Sequence, residues 1–211
     1  DLAPLADPEL VLPTVARTLD VREAAGEDVP SALAARFANR RILLVLDNFE
    51  HLIAAAPDLA QLLAACPLLE LLVTSRVALQ IRAEREFPVA PLLTPDSELY
   101  HEPAELRASP AVALFIERAQ AIDARFEPDT QALAAIGRIC QRLDGLPLAI
   151  ELVAARTRGL APAAILSRLD QRLDLLTGGP RDLPARQQTM RAAIGWSYDL
   201  LRPGEQALFR R

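Results

Sequence analysis

Lysine is absent from this sequence: all 23 basic residues are arginine. The absence excludes a phosphate-loop lysine from these residues and otherwise reads as a compositional preference for arginine. Cysteine is nearly as scarce. Cys66 and Cys140 each sit in an apolar, helix-patterned context, so neither a disulfide framework nor a metal-ligand cluster is encoded, and a cytoplasmic chain is expected. The two histidines, His51 and His101, carry no zinc spacing and belong to no nucleophile triad. No apolar run approaches the roughly 20 residues that span a bilayer, and the N-terminus has no export-signal pattern, so no membrane partner is expected. A net charge of -5 offers nucleic acid no global attraction. Methionine occurs once, at Met190, and the chain runs from Asp1 to a helix-like stretch, PGEQALFRR, at Arg211. It reads as an internal piece of a longer protein.

What is present suits a packed core in one large domain or two small ones: 51% of the residues are hydrophobic and 24% charged. Residues 8 to 21 place apolar groups at helical spacing, with Asp7 as N-cap and Pro8 in the first turn, although Pro13 interrupts the pattern. A polar loop with Gly26 leads to a second helix, PSALAARFANR. The run ILLVLD (42 to 47) is continuously apolar and ends in an acid, the pattern of a parallel strand buried on both faces. A helix is expected over 51 to 65, a second strand in LELLVTSR (69 to 76), and a weaker one in EFPVAPL (86 to 92). Strands alternating with helices imply a parallel sheet. Beyond Pro95 only amphipathic helices are expected, at about 109 to 123, 129 to 142, 146 to 158, 162 to 175 and 185 to 200. Ser109 and Pro110 form a capping pair, and DGLP (144 to 147) and TGGPRDLP (177 to 184) are turns. The polar, proline-containing stretch near 94 to 108 reads as the boundary between domains.

The chemistry-bearing residues gather at the strand ends. Asp47 closes the first strand at its carboxyl end, the edge where ligands of open α/β sheets bind. There a fixed carboxylate can hold magnesium bound to phosphates; the plainer alternative is an acid that opens a loop or caps the next helix. One strand-helix unit later, Thr74, Ser75 and Arg76 end the second strand, where a hydroxyl or guanidinium can sense a terminal phosphate. Arg76 is equally readable as an exposed loop arginine. Glu50 can polarise a water, face solvent or cap a helix, and His51 reads as a structural helix-start residue. His101 has no acid or cysteine partner nearby. Trp196 and Tyr198, in an amphipathic C-terminal stretch, read as core residues.

Taken in order, LLVLDNFEH, LLVTSR, LDGLPLAIELVAAR, RLDLLTGGPRDLPARQQTMRAAIGWSYDLL and PGEQALFRR resemble successive blocks of STAND NTPases. The resemblance is strongest to the NB-ARC-like ATPase modules of large bacterial transcriptional regulators, and it covers nearly the whole chain. It implies an α/β fold: an incomplete parallel-sheet P-loop NTPase core over residues 1 to 94, with a linker at 95 to 108. An all-α helical domain follows over 109 to 180, and the start of a winged-helix-like region over 181 to 211. It further implies that Asp47 is the magnesium acid, that Arg76 belongs to the sensor element with Thr74 beside it, and that Gly145 and Pro147 form the second-domain motif near the adenine. Pro147 is also readable as a routine helix-start proline. The cofactors implied are ATP or ADP with Mg2+ in the full-length parent, whose glycine-rich phosphate loop would precede residue 1.

The expected function is a nucleotide-dependent switch in which ATP or ADP is clamped between the two domains and read by other domains of the parent, with oligomerisation on activation. DNA would be contacted only through domains outside this piece. Asn48 follows Asp47 where many active relatives carry a second acid, so a slow ATPase parent is expected, with Asp47 and Glu50 as catalytic residues. This piece alone is expected to be inactive. The rival reading is a catalytically inactive interaction scaffold; direct DNA binding by the helices is disfavoured by the acidic balance.

Overall fold

A computed structural model describes residues 1 to 96, 102 to 169, 184, 188 to 199, 201 and 203 to 210. The chain divides into two compact units, Asp1–Pro88 and Val89–Arg211.

The first unit is a mixed α/β layer. A 3-10 turn at Pro8–Leu10 leads into α1 (Val11–Thr18), then α2 (Val29–Phe37), β1 (Ile42–Leu46), a 3-10 turn at Ile53–Ala55, α3 (Ala56–Ala65) and β2 (Leu69–Val73). Asp7 accepts the Glu9 N–H at 3.0 Å, as the capping pattern predicts. Because α1 starts only at Val11, Pro13 falls in its first turn, where its missing N–H leaves no helical bond unmade. Asp28 caps α2 by accepting the Ser31 N–H at 2.9 Å, and the hydrogen bonds from Ser31, side chain first and then backbone, hold its carboxyl below the usual range.

The strands β1 and β2 pair in parallel, Ile42 with Leu69 through Leu46 with Val73, in a sheet of two strands among the described residues. Parallel pairing follows from the connection through α3, which returns the chain to the same end before β2 begins. Ile42, Leu44 and Leu46 of β1, with Leu69, Leu71 and Val73 of β2, face a core that includes Val11, Val15, Leu33, Phe37, Leu59 and Leu62 from the three helices. The alternate residues Leu43, Val45 and Leu72 are 53 to 58% exposed. The expectation of a β1 buried on both faces is therefore corrected: within the unit described, one face of the pair is covered. Residues 86 to 92 form no strand either. Pro88 and Pro91 remove ladder donors there, and Phe87 and Val89 are nearly fully exposed.

The second unit is helical: α4 (Pro103–Ala108), α5 (Pro110–Ile122), α6 (Thr130–Arg142), α7 (Pro147–Ala154) extended by a 3-10 turn at Ala155–Arg158, α8 (Pro162–Arg168), α9 (Met190–Asp199) and α10 (Pro203–Phe209). Its core joins Leu106, Val112, Phe115, Leu133, Ile136, Ile139, Ile150, Val153 and Ile165. The segment read as a linker contains α4, which Pro103 starts and the fully buried Leu106 anchors. Ser109 occupies the N-cap position of α5, but its hydroxyl donates to the Leu93 carbonyl at 3.0 Å instead of accepting a helix N–H. Tyr198 of α9 meets Phe209 of α10 at 5.8 Å between ring centroids. His101, the C-terminal part of the helix expected over 162 to 175, residues 177 to 183 of the expected turn and the Trp196 side chain lie outside the described residues.

Candidate functional site at the strand tips

The residues after β1 and β2 are tied to one another by the hydroxyl and backbone of Thr74. The Thr74 N–H donates to the Leu46 carbonyl and its own carbonyl accepts the Phe49 N–H, both at 3.0 Å. These two bonds carry the ladder one residue beyond the strands and curl residues 47 to 49 around Thr74. The Thr74 hydroxyl then donates to Asp47 Oδ1 at 2.5 Å and accepts the Asn48 N–H at 3.0 Å. Asn48 has φ of +66°, a left-handed conformation that asparagine tolerates better than most residues, and the reversal there is what points its N–H back at Thr74. Phe49 follows with no exposed surface and pins the loop into the core.

Asp47 is half-buried and caps no helix, since the next turn begins at Ile53 with Leu52 at its N-cap. One carboxylate oxygen is held by Thr74, and the other has no hydrogen-bond partner among the described residues. The carbonyl of Asp47 accepts the Leu2 N–H at 2.9 Å, so the N-terminal segment lies against the same tip, with Leu2 itself buried. His51 reinforces that arrangement: its Nε2 contacts the Leu5 carbonyl at 2.8 Å, which makes Nε2 the protonated nitrogen. Its Nδ1 is buried without a partner. His51 thus holds a chain segment, one position before the Leu52 N-cap of the turn at Ile53–Ala55.

Glu50 and Arg76 form the second link across the tips. Arg76 Nε donates to Glu50 Oε1 at 2.9 Å, with the Glu50 side chain 9% exposed and that of Arg76 46% exposed. Glu50 neither faces solvent nor caps a helix. Ser75, the remaining tip residue, spends its hydroxyl locally, donating to the Val77 carbonyl at 2.7 Å. Thr74, expected as a phosphate sensor, has its hydroxyl proton directed at Asp47. Asp47 with Thr74 and Glu50 with Arg76 are thus two side-chain links between the segments that follow β1 and β2.

Gly145 and Pro147 belong to the helical unit. Gly145 is buried with φ of +67°, its N–H donates to the Cys140 carbonyl at 3.1 Å, and its carbonyl accepts the Leu92 N–H at 3.0 Å. Pro147 is exposed at the first position of α7. These geometries give both residues backbone roles of their own.

Sequence reasoning missed Phe49, Leu2 and the two-way role of Thr74. A large apolar residue two places after an acid at a strand end was the available signal for Phe49; nothing local pointed to the hydrogen bond between Leu2 and Asp47, which joins residues 45 positions apart.

A groove of about 390 Å3 lined by Arg138, Arg142 and Gln131, and an apolar groove of about 560 Å3 lined by Leu63, Ala60 and Ile81, both form without Asp47, Thr74 or Arg76. Among the described residues, no group of three or more His, Cys, Asp or Glu gathers to hold a metal by itself. A single fixed carboxylate fits instead a magnesium ion that keeps its waters and shares a ligand's phosphates. No helix among the described residues is long and apolar enough to cross a membrane.

The whole chain is similar to longer mycobacterial proteins. It is 41% identical, over 212 residues, to proteins of Mycobacterium tuberculosis and Mycobacterium bovis that are named as HTH-type transcriptional regulators; the match covers 100% of this chain and 23% of each relative. It is 36% identical over 213 residues to an uncharacterised M. tuberculosis protein, again along 100% of this chain and 51% of the relative. The chain thus spans about half or less of the curated relatives it matches. No family model and no solved structure matches it.

Proposed function

We propose that the chain is part of an ATP- or ADP-dependent signalling switch in a bacterial transcriptional regulator. The regulatory part of the reading is supported by similarity along the whole chain to proteins named as HTH-type transcriptional regulators. The nucleotide part rests chiefly on one observation: the Thr74 hydroxyl, from the neighbouring parallel strand, fixes Asp47 at the carboxyl edge of the sheet. A carboxylate oriented there before any ligand arrives costs little further ordering when it binds. In this reading Asp47 holds Mg2+ through water, and Arg76 receives phosphate oxygens. When bound, the ion would neutralise phosphate charge; what the chain itself does is hold Asp47 with the Thr74 hydroxyl and pair Arg76 with Glu50 just beyond the two strands. The exposed apolar face formed by Leu43, Val45 and Leu72 is consistent with a sheet that further segments of a longer protein cover. Residues 1 to 94 would then be the later part of a P-loop NTPase core, and α9 and α10 would begin a winged-helix-like region.

In the full-length protein, Asp47→Ala should weaken nucleotide binding in the presence of magnesium by about tenfold or more while the fold survives, because Ile42, Leu44 and Leu46 carry the core contacts of this strand. Calorimetric titration with ATP, with and without magnesium, is the measurement. Unchanged magnesium dependence would sink the assignment.

A second reading, an NTPase-fold scaffold without turnover, has its own support. The residue directly after Asp47 is Asn48, not a second acid, and the nearby carboxylate of Glu50 accepts a hydrogen bond from the Arg76 guanidinium. Phosphate release by the full-length protein separates the two: binding without turnover favours the scaffold.

A further inference from the structure

We propose that Glu50 is a resident counter-ion for Arg76, which an arriving phosphate must displace, so that this ion pair sets the threshold for anion binding at the strand tips. The proposal rests on the nucleotide reading above and assigns Glu50 a positioning and regulatory role in place of a catalytic one.

The pair is asymmetric in a way that decides which partner moves. Glu50 lies between Phe49 and the nearby Leu52, both fully buried, and its side chain is 9% exposed. The neighbouring Phe49 N–H is bonded to Thr74, which fixes the backbone at this point. Arg76 stands three residues beyond β2, its side chain 46% exposed. Glu50 is the shielded partner of the pair, and Arg76, on its long stem, is the one that solvent and an arriving anion reach.

The contact to Glu50 is made through Nε. A phosphate carries more charge than a carboxylate and presents several oxygens to the planar fork, so it can compete for the guanidinium. Release of Arg76 leaves a shielded carboxylate without its cation, a state that opposes the exchange. Weakly charged anions fail to overcome that opposition, whereas a polyphosphate does. Glu50 thereby acts as an internal stand-in for the ligand, keeping Arg76 ordered and occupied until a polyphosphate arrives.

The test uses the full-length protein and two probes, magnesium-ATP and inorganic pyrophosphate, titrated calorimetrically into wild type, Glu50→Gln, Glu50→Asp and Arg76→Gln. Glutamine keeps the volume and an acceptor for Nε but removes the charge, so Glu50→Gln should tighten both probes by about fivefold, the worth of one partly exposed ion pair. Glu50→Asp, whose shorter reach strains the pair, should lie between wild type and Glu50→Gln, and carries the test if the amide variant fails to fold. Arg76→Gln should lose most of the pyrophosphate affinity. In wild type, the Arg76 Nε–Hε nuclear magnetic resonance should shift on adding pyrophosphate, toward neither the free nor the Glu50-bound position. Weaker or unchanged binding in Glu50→Gln overturns the proposal and leaves Glu50 a structural brace. If instead Glu50→Gln tightens pyrophosphate while Asp47→Ala leaves magnesium dependence untouched, the displacement stands and the nucleotide reading falls.

Discussion

Gly145 and Leu92 meet backbone to backbone: the Leu92 N–H donates to the Gly145 carbonyl at 3.0 Å, and a Cβ on Gly145 would stand 2.0 Å from the Leu92 carbonyl oxygen. With φ of +67°, the position excludes a side chain both by conformation and by space. Gly145→Ala should therefore lose more than about 2 kcal/mol, since the left-handed cost of about 1 kcal/mol is joined by displacement of Leu92. Gly26→Ala is the control: its φ is +87°, but nothing lies within 4 Å of the added Cβ. Only the conformational cost of about 1 kcal/mol is expected there. Urea denaturation of the two variants, followed by circular dichroism, compares them; equal losses would mean that Leu92 gives way freely.

Thr74→Val deletes the donor to Asp47 and the acceptor for the Asn48 N–H while keeping the branched shape. Stability should fall by about 1–2 kcal/mol, and the magnesium-dependent part of nucleotide affinity should fall by about tenfold as Asp47 loses its orientation. Thr74→Ser keeps the hydroxyl and should stay near wild type. If valine and serine behave alike in a magnesium titration, Thr74 does not position Asp47.

Pro147→Ala separates the two readings of the α7 start. Pro147 is exposed at the first helical position, where an N–H has no helical partner, so alanine should cost less than about 1 kcal/mol. A larger proportional drop in adenine-nucleotide affinity would support a contact with ligand. Matched losses in melting temperature and affinity would reduce Pro147 to a helix starter.

Burial pushes the Cys140 thiol up to about 12 from an ordinary value of 9.0, and its sulfur lies 3.4 Å from the Ala111 carbonyl. A thiol raised in the folded state favours folding fully below the unfolded value, and that contribution is lost as pH climbs from about 9 to about 12. Cys140→Ala should flatten this part of the stability-pH curve. Burial also raises Cys66, so neither thiol should react with a disulfide reagent at pH 8 before unfolding. Rapid modification of the native protein would contradict this account.

The strand-helix alternation, the apolar runs of β1 and β2, the Asp7 cap and the GLP turn were legible because each depends on neighbours within a few residues. Apolar runs, a capping acid and a glycine beside a proline carry their conformations locally. The helical character of the second unit was legible for the same reason. Where several local forces compete, the pattern misled: EFPVAPL has strand composition, but its prolines remove the donors that a ladder needs. The partners at the strand tips were beyond local reading. Asp47 and Thr74 are 27 residues apart, Glu50 and Arg76 are 26 apart, and Leu2 meets Asp47 from the chain start. Sequence alone determined that an acid, a hydroxyl and an arginine follow two apolar strands. Only the parallel register of β1 with β2 decided which side chain each would bind, because a hydrogen bond depends on distance in space and the chain's local pattern carries none.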